Sequence, residues 1–293
     1  MPDQPCQTTD VPPPAALDGI TETHVHLWDK ALIEYPWLAR WPHLGERVDA
    51  ERLAADLPPL SAAVFIEAAA RPDLAAAELD WLAGQAGRCR FPVRIVAQLV
   101  PGGGAWWLDQ PGADLVGGVR RVMHHAADGA LLGEDFTADI KAIRDAGLAV
   151  DLTVRHGQLP EVAELCRREP RTVFVLDHLG KPAPHEFGFS RWAADLAVVA
   201  ANPNIVCKLS SIAVQPGDPA FQPDVAAHHV AFALGAFGAE RCLYGTDWPV
   251  STHATSFDQW RGVVRSALEA LSPGERDAVM RENALRVYGF NTS

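Results

Sequence analysis

The chain has 293 residues, room for one large domain or two ordinary ones, and 48% of them are hydrophobic, enough for a sizeable core. Its formal net charge of −12 argues against nucleic acid and anionic membrane as partners. No run of about 18 apolar residues suggests a membrane span.

Residues 1–18 are Pro-rich, with neither the basic start nor the apolar stretch of a signal peptide. They read as a disordered lead-in to a single domain over 19–293. The five cysteines, Cys6, Cys89, Cys166, Cys207 and Cys242, are scattered and form no CxxC. That pattern fits reduced thiols in a cytoplasmic protein.

The first predicted strand, "ITETHVHLW" (20–28), carries His24 and His26. Positions i and i+2 of a strand share a face, so the two imidazoles project together, about 7 Å apart along the chain. They are placed to converge on one ion or one substrate oxygen. The following "LWDKALIEYPWLARW" brings Trp28, Tyr35 and Trp37 into a loop expected to wall a pocket. Strand two, "AAVFIEA" (62–68), holds Glu67, which either reaches that pocket or pairs with Arg71 or Arg94. A helix is expected over 73–87 and strand three over 93–100. The next linker, "PGGGAWWLDQPGAD", is too rich in Gly and Pro for a full helix.

Strand four, "LVGGVRRV" (115–122), ends in Arg120 and Arg121, with His124 and His125 beyond. The planar fork of Arg120 suits a substrate carboxylate. The two histidine doublets, His124-His125 and His228-His229, are not spaced as ligands on one strand face; the second reads as helix surface. A helix over 137–147 leads to strand five (148–154), followed by Arg155 and His156. Then come a helix (159–170) and strand six, "TVFVLDHLG" (172–180), with Asp177 and His178, and Lys181 just after. A helix (189–203) and strand seven, "NIVCKLS" (204–210), follow. Its Lys208 is either a substrate contact or the buried partner of a carboxylate. A helix (225–241), strand eight, "CLYGTDWPV" (242–250), with Asp247, and helices over 256–271 and 273–290 complete the chain.

Several of these strands lack polar alternation, as strands buried on both faces do. Eight of them alternating with helices predict a (β/α)8, TIM-like barrel. A doubly wound open sheet is the alternative, weakened by the absence of G-x-G-x-x-G after strand one and of any P-loop. In a barrel the polar residues at the strand ends gather at one mouth, a cluster that a purely structural barrel does not need.

The stretches "THVHLWD", "GVR", "VLDHLGKP", "CKLS" and "YGTDWPV" resemble the amidohydrolase superfamily, in particular its lactonase branch. That branch includes 2-pyrone-4,6-dicarboxylate lactonases, fuconolactonases and sulfomuconolactone hydrolases. The resemblance implies opening of a small lactone by base-activated water, with Asp247 as base and His178 orienting the carbonyl or the water. It implies a metal set of His24, His26 and Asp247. Many superfamily members bridge two metals with a carbamylated strand-four Lys; Arg120 stands there, so one divalent ion, zinc, is the expectation. The branch also includes members that work without metal. Substrate contacts are expected from Arg120, Lys208, His156, Trp28, Tyr35 and Glu67, and the partner is a small lactone or hydroxy acid. Two alternatives stand beside this reading: a metal-dependent decarboxylase of the same superfamily, and a non-enzymatic barrel that binds a sugar acid.

Overall fold

The computed structural model describes residues 19–182, 188–210, 212 and 221–290. The expected lead-in, residues 1–18, lies outside the described residues. Eight strands form one sheet in chain order: β1 (Ile20–His26), β2 (Leu60–Ile66), β3 (Val93–Gln98), β4 (Val116–Val122), β5 (Ala149–Thr153), β6 (Phe174–Leu176), β7 (Ile205–Leu209) and β8 (Cys242–Tyr244). Each pairs parallel with the next.

Backbone and side chains join β8 to β1. Val25 bridges Trp248, the His26 N–H donates to the Trp248 carbonyl at 2.9 Å, and Thr23 Oγ1 donates to the Tyr244 carbonyl at 2.6 Å. The buried Glu22 takes the N–H groups of His24 (3.0 Å) and Thr246 (2.8 Å) on one oxygen. This is the predicted barrel.

Helices α1 (Ala50–Asp56), α2 (Ala75–Ala86), α3 (Glu134–Asp145), α4 (Leu159–Arg168), α5 (Gly188–Ala200), α6 (Pro223–Phe237) and α7 (Phe257–Ala267) lie between or after the strands. Only short 3₁₀ turns link β3 to β4, as the Gly/Pro content implied. Helix α1 was not anticipated. Its signal is Asp49, whose side chain caps the Arg52 N–H at 3.0 Å.

Two apolar clusters follow from strand alternation. The larger lies between the sheet and the helices. The smaller fills the bottom of the barrel with Val64, Ile66, Val96, Ala149, Val175, Val206 and Leu243, closed by Tyr288 of the C-terminal helix. Gly117 makes room for that plug: a Cβ there would stand 2.5 Å from the Tyr288 carbonyl oxygen. Among the described residues, no helix is long and apolar enough to cross a membrane, and Cys89, Cys166, Cys207 and Cys242 are free thiols.

Candidate active site

All eight strands run the same way, so their C-terminal ends share one mouth. Inward-facing positions alternate along each strand. Continuing upward from the apolar bottom layer, that alternation selects Glu22, His24 and His26 on β1, Arg120 on β4, Asp151 on β5 and Lys208 on β7. All are buried. Beyond β6 and β8 it continues through Asp177 and Asp247.

His24 Nε2 lies 3.7 Å and His26 Nε2 3.3 Å from Asp247 Oδ1. His26 Nδ1 is 3.1 Å from the Ile66 carbonyl, an acceptor only, so that nitrogen carries the proton. Its Nε2 lone pair is therefore free to bind. Donor atoms about 2.0–2.2 Å from a tetrahedral zinc stand about 3.4 Å apart. Two imidazoles and one carboxylate oxygen at these spacings fit one such ion. The Asp247 backbone is left-handed, with φ 66, a strain that sites of function often hold. Burial would raise the Asp247 pKa, but His178, His26 and His24 outweigh it and hold the carboxyl well below the usual range.

His178 stands beside this set, its ring 4.5 Å from that of His24. It begins a left-handed turn: φ is 53, 55, 71 and 47 at His178, Leu179, Gly180 and Lys181. Such a run is costly for L-residues. Trp192 Nε1 pins it by donating to the Leu179 carbonyl at 2.9 Å. Ser210 Oγ accepts the His178 backbone N–H (3.1 Å) and lies 2.9 Å from Nδ1. If the hydroxyl proton goes to Nδ1, Nε2–H becomes the exposed donor. Burial is the main reason that the His178 pKa falls to about 4, so the ring is neutral at pH 7.

Below the histidines lies a charged layer. Lys208 Nζ is 2.6 Å from Asp151 Oδ2, 3.2 Å from Asp177 Oδ1 and 3.3 Å from His24 Nδ1. Tyr288 OH donates to Asp151 Oδ2 at 2.8 Å, and Thr153 Oγ1 to Asp177 Oδ2 at 2.6 Å. Burial raises Asp151 to about 6 despite Lys208. Burial acts the same way on Asp177, but Lys208 and His24 outweigh it and leave its carboxyl well below the usual range. Arg120 is held by Glu67 at both its side chain (Nε–Oε1, 2.5 Å) and its carbonyl (2.6 Å), and its NH1 is 3.4 Å from His24 Nε2.

The structure thus brings together His24, His26, Asp247, His178, Arg120 and Glu67. Glu67 pairs with Arg120 rather than with Arg71 or Arg94. Arg71 is engaged by Glu34 and Asp73, and Arg94 by the Asp114 and Gly289 carbonyls. Lys208 is 0% exposed and serves as the buried partner of two carboxylates, with no surface toward the mouth. Trp28 is also 0% exposed, its Nε1 on the Gly45 carbonyl and its ring edge-on to Trp37; it fills the loop from behind. Tyr35 is buried likewise, against Glu78 and Glu67. His156 is half-buried, opening the turn His156–Gln158 past β5.

His229 is buried against Phe189 and Trp192, not on a helix surface. The expected strand six stops at Leu176 and strand eight at Tyr244, because His178 and Asp247 turn left-handed. His124, set aside in the sequence, feels Lys181, Arg120 and His178. Burial first, then those neighbours and His125, push it down to about 2, and its Nδ1 is buried without a hydrogen-bond partner.

A sequence-family model described as amidohydrolase matches residues 21–290. An L-fucono-1,5-lactonase of Burkholderia multivorans is 30% identical over 283 residues, covering 92% of this chain and 95% of its own. A crystal structure of an amidohydrolase from Burkholderia multivorans with bound zinc superposes with TM-score 0.77 at 28% identity, covering 92% of this chain and 99% of the other. A putative 2-pyrone-4,6-dicarboxylic acid hydrolase from Pseudomonas putida shares the fold, with TM-score 0.65 at 20% identity over 94% and 99% of the two chains.

Proposed function

The chain belongs to the amidohydrolase family, and from that premise we propose that it hydrolyses a small lactone, a cyclic ester of a hydroxy acid. The observation that carries this reading is the convergence of His24 Nε2, His26 Nε2 and Asp247 Oδ1 beside a neutral His178. The likeness to L-fucono-1,5-lactonase favours a sugar-acid lactone.

His24, His26 and Asp247 would hold one divalent ion, zinc in the similar structure, which supplies Lewis acidity toward a carbonyl oxygen and a lower pKa for water. Asp247, in this reading, takes a proton from the attacking water. The oxygen adds to the ring carbonyl, the ring C–O bond breaks, and the proton returns from Asp247 to the departing alkoxide. His178 Nε2–H points a neutral donor at the carbonyl oxygen as charge develops there. One such donor is worth about 3–4 kcal/mol of transition-state stabilisation. Arg120, turned by Glu67, and His156 at the rim are the groups proposed to meet the acid or its hydroxyls.

A panel of sugar-acid and aromatic-derived lactones, assayed with a pH indicator with and without chelator, tests this reading. Acid release from at least one lactone supports it. Release of carbon dioxide from hydroxybenzoates instead would make it a decarboxylase, and binding without turnover a sugar-acid-binding barrel.

A further inference from the structure

The charged layer under His24 does more than fill the barrel. Buried ion pairs are often replaced by apolar groups of similar volume at no loss of stability, so stability alone does not call for five polar groups there. Their geometry bears on one proton. His24 Nε2 faces Arg120 NH1 at 3.4 Å, and a guanidinium only donates. The carboxylate nearest Nε2, Asp247 Oδ1, is 3.7 Å away, beyond hydrogen-bond reach, so Nε2 is the nitrogen left bare and Nδ1 the one placed to carry the hydrogen. Nδ1 faces two groups of opposite character: Lys208 Nζ at 3.3 Å, a donor, and Asp177 Oδ1 at 3.4 Å, an acceptor. Of the two, only Asp177 is an acceptor, and its buried Oδ1 is otherwise without a hydrogen bond.

We propose that Asp177 is a positioning residue that sets the tautomer of His24, keeping Nε2 bare toward His26 and Asp247. Lys208, fixed between Asp151 and Asp177, and Thr153 on the other oxygen hold that carboxylate in place. Without Asp177, the Lys208 ammonium is the group left at Nδ1, and it favours a bare Nδ1 and a protonated Nε2. The ring would then turn an N–H toward Arg120 and toward the ion. This inference rests on the proposed metal site, but the tautomer can be read in metal-free protein whatever the enzyme's substrate.

The test uses the full chain with ¹⁵N-labelled histidine, free of metal, with the His24 signals assigned by their loss in His24→Asn. Long-range ¹H–¹⁵N spectra should show Nδ1–H at His24 in the wild type and Nε2–H in Asp177→Leu. Asp177→Asn should keep Nδ1–H. Lys208 calls for an acceptor, so the amide oxygen takes the place of Oδ1 and the NH₂ meets Thr153. Zinc affinity, measured by competition with a chromogenic chelator, should fall about 10–100-fold in the Leu variant and less in the Asn variant. Nε2–H in the wild type overturns the proposal. So does a folded Leu variant that keeps Nδ1–H and wild-type zinc affinity. If the Leu variant does not fold, Asp177→Ala decides by the same two readouts: Nε2–H supports the assignment, and Nδ1–H with wild-type zinc affinity overturns it. If the wild type binds no zinc, the metal reading fails and the tautomers alone judge Asp177.

Discussion

Glu78 offers the sharpest test of the electrostatics behind Arg120. It sits on α2, buried, with Oε1 accepting the Ala68 N–H at 2.8 Å. Burial first, and then the neighbouring Glu67 carboxylate, raise its pKa from 4.5 to about 8. Between these two values the folded chain holds a proton that the unfolded chain has released. Unfolding therefore becomes easier as pH rises. The stabilising contribution is complete below about 4.5 and gone above about 8. Converted at about 1.4 kcal/mol per pH unit, the ceiling is about 5 kcal/mol. Glu78→Gln removes the titration and keeps a carbonyl for Ala68. Its stability should match the wild type at pH 5 and exceed it at pH 9. At about 2 °C per kcal/mol for a chain of this size, the melting temperatures should separate by up to about 10 °C. Parallel melting curves across pH 5–9 would refute the reasoning, because they would mean that folding does not move the Glu78 proton.

Asp247→Asn should lower turnover by about 100- to 10,000-fold at a near-wild-type melting temperature; unchanged turnover would return Asp247 to a turn-forming role. Arg120→Met strips Glu67 of its buried partner and should cost about 3–5 kcal/mol in urea unfolding. Gly117→Ala drives a Cβ to 2.5 Å from the Tyr288 carbonyl and should cost about 1–3 kcal/mol. Gly84→Ala, in α2 with nothing within 4 Å, should instead stabilise by about 0.5–1 kcal/mol.

The barrel was legible because its strands are buried on both faces and its helices end in Gly and Pro. Apolar runs such as "VRIVAQLV" and "LAVDLTV" need no partner to be recognised. The ends of strands six and eight were not legible. Hydrophobic pattern continues through "VLDHLGK", but His178, Leu179 and Lys181 leave the β region for positive φ, which periodicity does not register. That turn points His178 at His24.

That the histidine pair and Asp247 lie together at one mouth could be read from their places at strand ends. The layer beneath them could not, because it depends on pairs between strands far apart in sequence. Lys208 and Asp151 each look like a lone charge in an apolar run. Each must find a partner when buried, and that was the available signal, but nothing in one sequence says which partner. Trp28 and Tyr35 misled for the related reason that an aromatic loop after strand one reads the same whether its rings face the pocket or the core. Packing against Gly45, Trp37 and Glu78 decides for the core.

The charges of the barrel interior carry one step more. With Glu78 protonated below about 8, and Glu22 likewise raised to about 8, chiefly by burial, two buried acids are neutral at pH 7. His24 is neutral too, its pKa lowered first by burial and then by Lys208, and His178 is neutral at about 4. Within the ion-pair layer, among the described residues, the carboxylates of Asp151, Asp177, Asp247 and Glu67 face Lys208 and Arg120. That set holds two more acidic than basic groups, all buried, where uncompensated charge is costly. A divalent cation at the His24, His26 and Asp247 donors would offset that excess. Metal-free protein should therefore be less stable than zinc-loaded protein by RT ln(1 + [Zn]/Kd), about 3 kcal/mol at a hundredfold excess of zinc over Kd. Thermal melts across a zinc titration measure that directly. A melting temperature independent of zinc would mean that the interior balances its charge by protonation, with Asp151, raised to about 6, the first carboxylate to take up a proton.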